Sequence, residues 1–427
     1  MNSRLALSIV IPTHNRAALL QRSLEAMTQQ SLPPSCFEVI VVADACRDDT
    51  AAMVLASAAR VPYRLALLGH TARSAAASRN LGATRAQGDW LLFLDDDVVA
   101  EPELVRQHWV ARAENGISLG YSKPVFPIRA TFWQLSARLW WEDRFRDIGR
   151  PGHRFSFRDF FSGNVSLPAT LFRKVGGFDP SMVGRLEDYE LGIRLLKEGT
   201  KFSFLPRAIG HHHESTDLEQ WLGRLRQEGE ADVLMGQRHP ELRTMLFSSK
   251  EPTDRRLRRL RRLAFDHPRL GDWMNALFVR QTRLYERWRL RGLWFPLLGR
   301  LREYNYWRGV SAAIGHRRAF QDWLQEAPLP PAVAPDAPVH DLASSRTDAA
   351  LAEVLDLGSR VGLRLLVDGS EVLALPPKPG CEPLRPPHLA ALVSELAESE
   401  LIPALALKWV RAHGRNLLCQ SDLPRLI

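Results

Sequence analysis

The sequence predicts an α/β protein whose first half is built on a mainly parallel sheet with helices on both faces. Short continuous runs of Val, Ile and Leu alternate with stretches in which apolar residues recur every three or four positions. Such uninterrupted apolar runs are typical of strands that are buried on both faces, as in parallel sheets. Aspartates close two of these runs, at the strand ends where sheets of this kind bind their ligands.

The predicted elements follow one another in strand–helix order through the first part of the chain. The predicted strands cover 6–13, 37–44, 63–69 and 89–97. The predicted helices between them cover 16–30, 50–60 and 74–87. Residues 116–215 are less regular and rich in aromatic side chains, and residues 217–325 have a mainly helical pattern.

Four segments are predicted along the chain. They are the main domain, an arginine-rich helical region, a proline-rich linker and a small C-terminal α/β unit, at 1–235, 236–326, 327–340 and 341–427. The linker is predicted from five prolines between residues 327 and 338. Residues 251–320 contain 17 Arg against 6 Asp or Glu, which is a local excess of +11.

The composition limits the class of protein. With 427 residues, 45% of them hydrophobic, and a net charge of +9, the chain is expected to be globular and to have an anionic partner. Its four cysteines show neither CxxC nor metal-finger spacing, which argues against a disulfide scaffold. No run of about 18 apolar residues occurs, and the run that Pro12 ends is interpreted as a strand rather than as a signal segment. We therefore expect a cytoplasmic protein.

Three consecutive carboxylates, Asp95, Asp96 and Asp97, follow the apolar run 91–94. A single aspartate after a strand commonly caps the next helix or lies in a solvated turn. Three adjacent negative charges raise the cost of ionising one another, and a divalent cation removes that cost. Mg²⁺ and Mn²⁺ prefer oxygen ligands from one or two carboxylates that are shared with phosphates of a substrate. The triplet therefore predicts a binding place for a metal and a diphosphate.

Asp44 ends the second predicted strand at the same edge of the sheet. A carboxylate in that position accepts hydrogen bonds from a base N–H or from ribose hydroxyls. The predicted helix that begins near Ser74 brings Arg79 and Asn80 toward this edge, although an isolated arginine is more often a surface residue.

A second acidic cluster, Glu187, Asp188 and Glu190, opens a predicted helix. These carboxylates either complement the positive end of the helix or include a general base beside a bound hydroxyl. The Gly-Gly-Phe-Asp turn just upstream favours the second interpretation, because it can present a carboxylate into a cleft.

Three consecutive histidines follow a strand-like segment near residue 210. They either form a solvated polar loop or contribute to the metal site. On a strand, His211 and His213 share one face while His212 points to the other. We expect His211 or His213 to complete the metal site or to neutralise a leaving diphosphate.

Seven segments, in this order, resemble the family 2 inverting glycosyltransferases of the GT-A fold. They are LSIVIPTHNRAALLQRSLEAM, VIVVADACRDDT, SRNLGA, GDWLLFLDDDV, SGNVSLPATLFRKVGGFDPSM, EDYELGIRLLKEG and HHHES. The resemblance covers about residues 5–235 and implies a Rossmann-like, mainly parallel GT-A sheet. It also implies a site at the carboxyl ends of the strands for a nucleotide-sugar, most often UDP-linked, together with Mn²⁺ or Mg²⁺.

The resemblance implies roles for residues around the donor. Pro12, Thr13 and Arg16 stand where the first strand meets the nucleotide, and Asp44 stands where an aspartate reads the base. The turn after Asp44 departs from the family pattern, since Ala45 and Cys46 replace its small flexible residues.

The resemblance also implies the catalytic groups. Asp95 and Asp97 take the metal positions of the DxD motif, and Asp96 lies between them near the nucleotide. Asp188 takes the position of the catalytic base, with Glu187 beside it. The implied reaction is the transfer of a hexosyl group to an acceptor hydroxyl with inversion, in polysaccharide, glycolipid or other glycoconjugate synthesis.

Two other functions compete with this hypothesis. A sugar-phosphate nucleotidyltransferase shares the sheet and the acidic metal site, but it requires a Gly-rich basic loop after the first strand, and PTHNRAALL is not such a loop. A degenerate domain acting as a scaffold is the non-enzymatic alternative. The joint presence of Asp95, Asp97 and Asp188 argues against it.

The arginine-rich residues 251–320 have three interpretations. They form a solvated helical face, a peripheral contact with an anionic membrane at its inner surface, or a nucleic-acid site. The membrane contact suits a lipid-linked acceptor, whereas a glycan or small-molecule acceptor needs none. Nucleic acid is not expected, because no nucleic-acid module accompanies the charge. The C-terminal unit is predicted to be a docking module for a protein partner.

Overall fold

The computed structural model describes residues 5–112, 116–127, 129–182, 186–213, 215–243, 245–246, 254–328, 332–342, 348–367 and 370–396. The chain divides into two compact units. The first comprises Met1–Arg146 and Ser156–Pro328, and the second Asp147–Phe155 and Leu329–Ile427. The first unit contains the predicted helical region and the predicted main domain apart from residues 147–155.

The first unit contains eight strands and twelve helices among the residues that the structure describes. The strands are β1 Leu7–Thr13, β2 Phe37–Asp44, β3 Arg64–His70, β4 Trp90–Leu94, β5 Val98–Ala100, β6 Ile117–Pro124, β7 Asn164–Pro168 and β8 Phe202–His212. The helices are α1 Ala17–Met27, α2 Thr50–Ala58, α3 Ala75–Arg85, α4 Leu104–Ala111, α5 Phe132–Ile148, α6 Ala169–Lys174, α7 Glu187–Lys197, α8 Leu218–Arg238, α9 Arg255–Asp266, α10 Pro268–Arg287, α11 Arg291–Ile314 and α12 Arg317–Gln325.

The eight strands form one sheet in the order β3-β2-β1-β4-β7-β6-β8-β5. Strands β3, β2, β1 and β4 are parallel to their neighbours, as are β6 and β8. Strand β7 runs antiparallel between β4 and β6, and β5 runs antiparallel to β8. The predicted mainly parallel α/β fold is confirmed. The antiparallel strand β7 was not among the predicted strands, because its five residues NVSLP form too short a run to stand out.

The central strands of the sheet are almost completely buried, and this burial fixes the position of their carboxyl ends. All residues of β2 and β4 are buried, as are all of β1 except Pro12. Full burial of one such aliphatic side chain is worth roughly 1.5–3 kcal/mol. Helix α3 packs closely on this core, because a Cβ atom at Gly82 would lie 2.3 Å from Cγ1 of Val10. The close approach fixes where α3 presents its side chains at the carboxyl end of the sheet.

The predicted strand 89–97 is shorter in the structure. Strand β4 ends at Leu94, and Asp95, Asp96 and Asp97 form the turn that leads into β5. Charged side chains cannot continue a strand that is buried on both faces, so the chain leaves the sheet at the first carboxylate.

Long helices follow the sheet in the same unit. Helix α11 packs along α8, α9 and α10. The α8–α11 crossing requires small residues, since a Cβ atom at Gly309 would lie 1.9 Å from the carbonyl oxygen of Arg226. Trp294 and Trp307 of α11 are fully buried. None of the described helices is long and apolar enough to cross a membrane.

The second unit contains the small α/β unit predicted at 341–427, together with residues 147–155 and residues 329–340 of the predicted linker. Its elements are β9 Val339–Asp341, α13 Asp348–Val361, β10 Leu363–Val367, β11 Ser370–Leu375 and α14 Pro386–Leu396. The three strands are ordered β11-β10-β9, with β9 parallel and β11 antiparallel to β10. Leu355, Leu363, Leu365 and Leu389 form its core. Residues 397–427, which belong to the predicted docking module, lie outside the described residues.

Candidate active site

An open cleft lies at the carboxyl ends of β1, β2 and β4. Its volume is about 600 Å³, which is within the usual range for small-molecule sites. Its lining residues are Pro12, Thr13, His14, Asn15, Arg16, Asp44, Ala45, Arg47, Arg73, Ser74, Ala75, Ser78, Arg79, Asp95, Asp96 and Asp97. Eight of the residues predicted for the donor and the metal therefore meet in one place.

Asp96 anchors the turn formed by residues 95–97, called here the acidic turn, to the loop after β1. One oxygen of its buried carboxylate accepts a hydrogen bond from the Thr13 hydroxyl at 2.7 Å, and the other accepts one from Nη1 of Arg16 at 3.0 Å. Its backbone carbonyl accepts a hydrogen bond from the Ser23 hydroxyl at 2.9 Å. These contacts give Thr13 and Arg16 a positioning role that the sequence did not indicate.

Asp97 is buried and has only part of its hydrogen-bonding capacity satisfied. Its Oδ2 atom accepts a hydrogen bond from Nη1 of Arg16 at 2.8 Å. Among the described residues, no hydrogen-bond donor contacts its buried Oδ1 atom. Burial raises the pKa of Asp97 to about 6; His212 and Arg16 oppose the rise, and the carboxylates of Asp95 and Asp96 add to it. An oxygen with these properties favours a cation as its partner.

The histidine beside Asp97 is His212. Its Nε2 atom lies 3.5 Å from Oδ1 of Asp97, and its buried Nδ1 atom has no hydrogen-bond partner among the described residues. The expected metal ligands His211 and His213 have other contacts. Nε2 of His211 lies 2.9 Å from Oε1 of Glu101, and Nε2 of His213 lies 3.3 Å from Nη2 of Arg22. The structure thus brings the side chain of His212 to the carboxylate of Asp97, whereas His213 meets the acidic turn through its backbone N–H, which donates to the carbonyl oxygen of Asp97 at 2.9 Å.

Arg79 connects the two acidic clusters. Its Nη2 atom donates to Asp95 at 2.8 Å, and its Nη1 atom donates to Glu187 at 3.2 Å. Burial alone lowers the pKa of this guanidinium, but the carboxylates of Asp95, Glu187 and Asp188 outweigh burial and raise it. Arg79 therefore carries a permanent positive charge between the turn after β4 and the first turn of α7.

The side chain of Asn80 is bonded to the protein backbone. Its Nδ2 atom donates to the carbonyl oxygen of Phe178 at 2.7 Å, and its Oδ1 atom accepts from the N–H of the same residue at 2.8 Å. This pair of bonds holds the Gly-Gly-Phe-Asp turn against α3. Asn80 is not among the residues that line the cleft, so its predicted contact with the donor stays a prediction.

Asp44 lies at the end of β2 with both carboxylate oxygens bonded to the chain. One accepts from the N–H of Arg73 at 2.7 Å and the other from the N–H of Ser74 at 2.6 Å. These donors precede α3, so the carboxylate stabilises the positive end of that helix. Arg73 has a φ of +50°, a conformation that brings its N–H toward Asp44. The oxygen that accepts from Ser74, Oδ2, also accepts from the Ser78 hydroxyl at 3.4 Å, so Oδ1 is the oxygen that retains a lone pair for a ligand in the cleft.

Glu187 and Asp188 form the first turn of α7. The preceding residue, Leu186, has a φ of +70°, which is unusual for a branched side chain and turns the chain sharply into the helix. Glu187 is bound to Arg79, whereas Oδ1 of Asp188 accepts the N–H of Tyr189 at 2.9 Å. Both carboxylates are partly exposed. The predicted catalytic pair therefore faces the acidic turn across Arg79.

An aromatic wall, formed by Trp140, Trp141, Phe161 and Tyr189, joins these two sides of the site. The ring of Trp141 lies 5.6 Å from the ring of His212 and 5.4 Å from that of Phe161. Phe161 in turn lies 6.4 Å from Tyr189, the residue after Asp188. Trp140 is 52% exposed at the outer end of the wall.

The residues of the acidic turn fit a divalent cation that also binds a ligand. Among the described residues, no group of three His, Cys, Asp or Glu side chains is arranged to hold a metal. Mg²⁺ and Mn²⁺ are commonly bound by one or two carboxylates and the phosphates of a substrate, so a site with fewer protein ligands is sufficient. The buried Oδ1 of Asp97, the adjacent imidazole of His212 and the 36% exposed side chain of Asp95 are suitable donors.

Sequence reasoning did not single out three features of this site. His212 was assigned to the other face of its strand. Only its pairing opposite Val98 of β5 shows which face of that strand meets the acidic turn. The backbone N–H groups of Arg73 and Ser74 carry no side-chain signal. Trp141 stood out only as part of an aromatic-rich segment.

Comparisons with known proteins agree with the predicted family. Residues 8–174 match the family model described as glycosyl transferase family 2. Validoxylamine A glucosyltransferase of Streptomyces hygroscopicus subsp. limoneus is 30% identical over 271 residues, which are 56% of this chain and 58% of that protein. A glycosyltransferase of Haemophilus influenzae, named as uncharacterized, is 42% identical over 212 residues, which are 48% of this chain and 65% of that protein.

Each of these matches spans less than two thirds of the relative's own length. Among solved structures, the chain is similar to the mannosyltransferase PcManGT from Pyrobaculum calidifontis in complex with GDP-Man and Mn²⁺. That similarity has a TM-score of 0.48 and 16% identity, and it covers 72% of this chain and 86% of the other.

Proposed function

We propose, from the premise that residues 8–174 form a family 2 glycosyltransferase domain, that this protein is a metal-dependent inverting glycosyltransferase. It would move a hexosyl group from a UDP-linked sugar to an acceptor hydroxyl. One structural observation carries the proposal. Arg79 binds Asp95 with one nitrogen and Glu187 with another, which places the first turn of α7 beside the acidic turn. Inversion requires the leaving diphosphate and the general base to lie on opposite sides of the anomeric carbon.

The donor side of the cleft is formed by residues that are already held in place. Asp96 fixes Arg16, and Asp44 fixes the turn before α3. The open lone pair on Oδ1 of Asp44 suits a base N–H, and uracil offers one at N3. Preformed positions reduce the entropy that binding must otherwise overcome.

Asp95, Asp97 and His212 would hold Mn²⁺ or Mg²⁺ together with the diphosphate. When bound, the cation stabilises the negative charge that develops on the departing nucleoside diphosphate. Arg16 contacts Asp96 and Asp97 and orients both carboxylates. Arg79 orients Asp95 in the same way from the opposite side.

Asp188 is the proposed general base. Glu187 binds Arg79, and the family resemblance gives Asp188 the position of the catalytic base, which assigns Asp188 to the acceptor. Asp188 takes the proton as the acceptor oxygen attacks the anomeric carbon and the bond to the diphosphate breaks. No covalent bond to the protein is needed, and the anomeric configuration inverts.

The aromatic wall is the proposed acceptor side. Its partly exposed rings extend outward from the acidic turn and from Asp188. The reacting hydroxyl must lie between these two groups. Aromatic faces suit the apolar faces of sugar rings, which favours a glycan, lipid-linked or small-molecule glycoside as the acceptor. The relative named for glucosyl transfer to validoxylamine A is consistent with a hexosyl donor.

The test combines donor hydrolysis or transfer with binding. UDP-, GDP- and dTDP-sugars are supplied with Mn²⁺, and nucleotide release is compared in the native protein and in Asp188→Asn. We expect release with one donor, a loss of about 10²- to 10⁴-fold in the variant, and unchanged nucleotide binding by calorimetry. Glu198→Gln, at the other end of α7, is the matched control. A native protein that binds no nucleotide, or an Asp188→Asn variant with full activity, would contradict the proposal.

A further inference from the structure

Helix α10 and the residue that follows it, Trp288, expose large apolar side chains along one side. The row, called here the α10 stripe, consists of Leu270 (51% exposed), Trp273 (61%), Leu277 (37%), Leu284 (51%) and Trp288 (67%). Successive members are three, four, seven and four residues apart, which places them on one side of a helix. Leu290 and Leu293, at the start of α11, are also exposed. Single exposed leucines are ordinary, but an aligned set with a tryptophan near each end is not.

The opposite side of α10 accounts for its stability without the stripe. A Cβ atom at Gly271 would lie 2.4 Å from Oη of Tyr304, so the helix approaches α11 closely. Phe278, Val279 and Tyr285 pack against the buried cluster that includes Leu301. The packing of α10 in this unit therefore does not depend on the stripe.

Charge is distributed unevenly around α10. Arg269, Arg280 and Arg287 are exposed, lie about a quarter-turn from the stripe and have no carboxylate partner among the described residues. Both carboxylates of the helix face inward. Asp272 accepts hydrogen bonds from Arg226 and Tyr304, and Glu286 accepts the N–H of Phe132. The outward face is therefore apolar and positively charged.

We infer that the α10 stripe binds the protein to an anionic lipid surface, with α10 lying in the plane of the interface. Leucines enter the acyl boundary, tryptophans prefer the headgroup level, and the arginine row meets anionic headgroups. A second copy of this chain fits less well, since two arginine rows would face each other without a carboxylate between them. Nucleic acid complements the arginines but offers nothing for the leucines.

The experiment measures binding of the full chain to vesicles and does not depend on catalysis. Protein is sedimented with vesicles of phosphatidylcholine containing about 30% phosphatidylglycerol, and with pure phosphatidylcholine vesicles. We expect binding to the anionic vesicles that weakens at least about tenfold in Trp273→Ser/Trp288→Ser. We expect Arg280→Gln/Arg287→Gln to weaken it roughly 30-fold. Leu55→Ser/Val110→Ser, at residues 63% and 61% exposed elsewhere, is the matched control and should bind as the native chain does.

Four results would overturn the inference. They are no binding of the native chain to anionic vesicles, equal loss in the control variant, a concentration-dependent dimer that the tryptophan variant abolishes, and binding to a DNA or RNA duplex in place of vesicles. Thermal melting of each variant establishes that it is folded before sedimentation.

Discussion

The Nε2 atom of His212 lies 3.5 Å from Oδ1 of Asp97, a buried oxygen that accepts no hydrogen bond from any described residue. The two atoms come from segments more than 100 residues apart and meet because β8 pairs with β5. A shared cation would satisfy both.

The first prediction concerns this pair. We expect His212→Ala and Asp97→Asn each to weaken Mn²⁺-dependent nucleotide binding by about 10- to 100-fold, because each removes a donor from the metal. Calorimetric titration of UDP with and without Mn²⁺ measures the effect. His213→Ala is the control, since that side chain contacts Arg22 on the surface. Equal losses in the two histidine variants would contradict the assignment.

The second prediction concerns pH. Because the pKa of Asp97 is raised to about 6, a proton competes with the cation below that pH. We expect Mn²⁺ affinity to be constant above about pH 7 and to fall by up to about tenfold per unit below 6. Titration of Mn²⁺ at several pH values, followed by electron paramagnetic resonance, tests this. An affinity that does not change between pH 7 and pH 5 would count against Asp97 as a ligand.

The third prediction concerns Arg79. Its removal takes away the charged donor of both Asp95 and Glu187, which are partly exposed, and hydrogen bonds to charged groups contribute about 1.5–3 kcal/mol. We expect Arg79→Met to lower the free energy of unfolding by roughly that amount in denaturant titrations. The double variant Arg79→Met/Glu187→Gln should recover part of the loss. Strictly additive effects of the two changes would show that the contact is not energetically coupled.

The fourth prediction concerns acid stability. His108 is completely buried, which lowers its pKa to about 4, while its hydrogen bond with Asn164 opposes that shift. Below about pH 6.5 the unfolded chain binds a proton that the folded chain does not. The stability contributed by neutral His108 is therefore complete above pH 6.5 and is lost as the pH falls toward 4, by about 3 kcal/mol in total. In His108→Gln the dependence of unfolding free energy on pH should flatten in this interval, and an unchanged slope would refute the account.

The fifth prediction concerns the aromatic wall. In saturation-transfer NMR with UDP and Mn²⁺ present, we expect methyl glycosides to receive signal from the native protein and to lose most of it in Trp140→Ala. Affinity for UDP should not change, since Trp140 does not line the donor cleft. Trp273→Ala, at a tryptophan of α10 that is 61% exposed against 52% for Trp140, is the control. A matching loss in the control would assign the signal to nonspecific contact.

The sequence alone determined the sheet and the place of its site. A short valine-rich apolar run such as 39–43 favours a strand that is buried on both faces, and the chain must leave such a sheet where Asp95 begins. Both features depend on local residue patterns, and the sequence shows such patterns directly.

Only the tertiary structure decided which side chains meet across the site. Alternation along a strand shows that His211 and His213 share a face, but the pairing of β8 with β5 decides that His212 is the one beside Asp97. The contact of Arg79 with Glu187, 108 positions away, has no local signal. Nor does the sequence show that both carboxylates of α10 face inward, which leaves its outward side apolar and cationic. The physical reason is the same in each case: sequence periodicity fixes which residues share a face, while packing between distant segments fixes what that face meets.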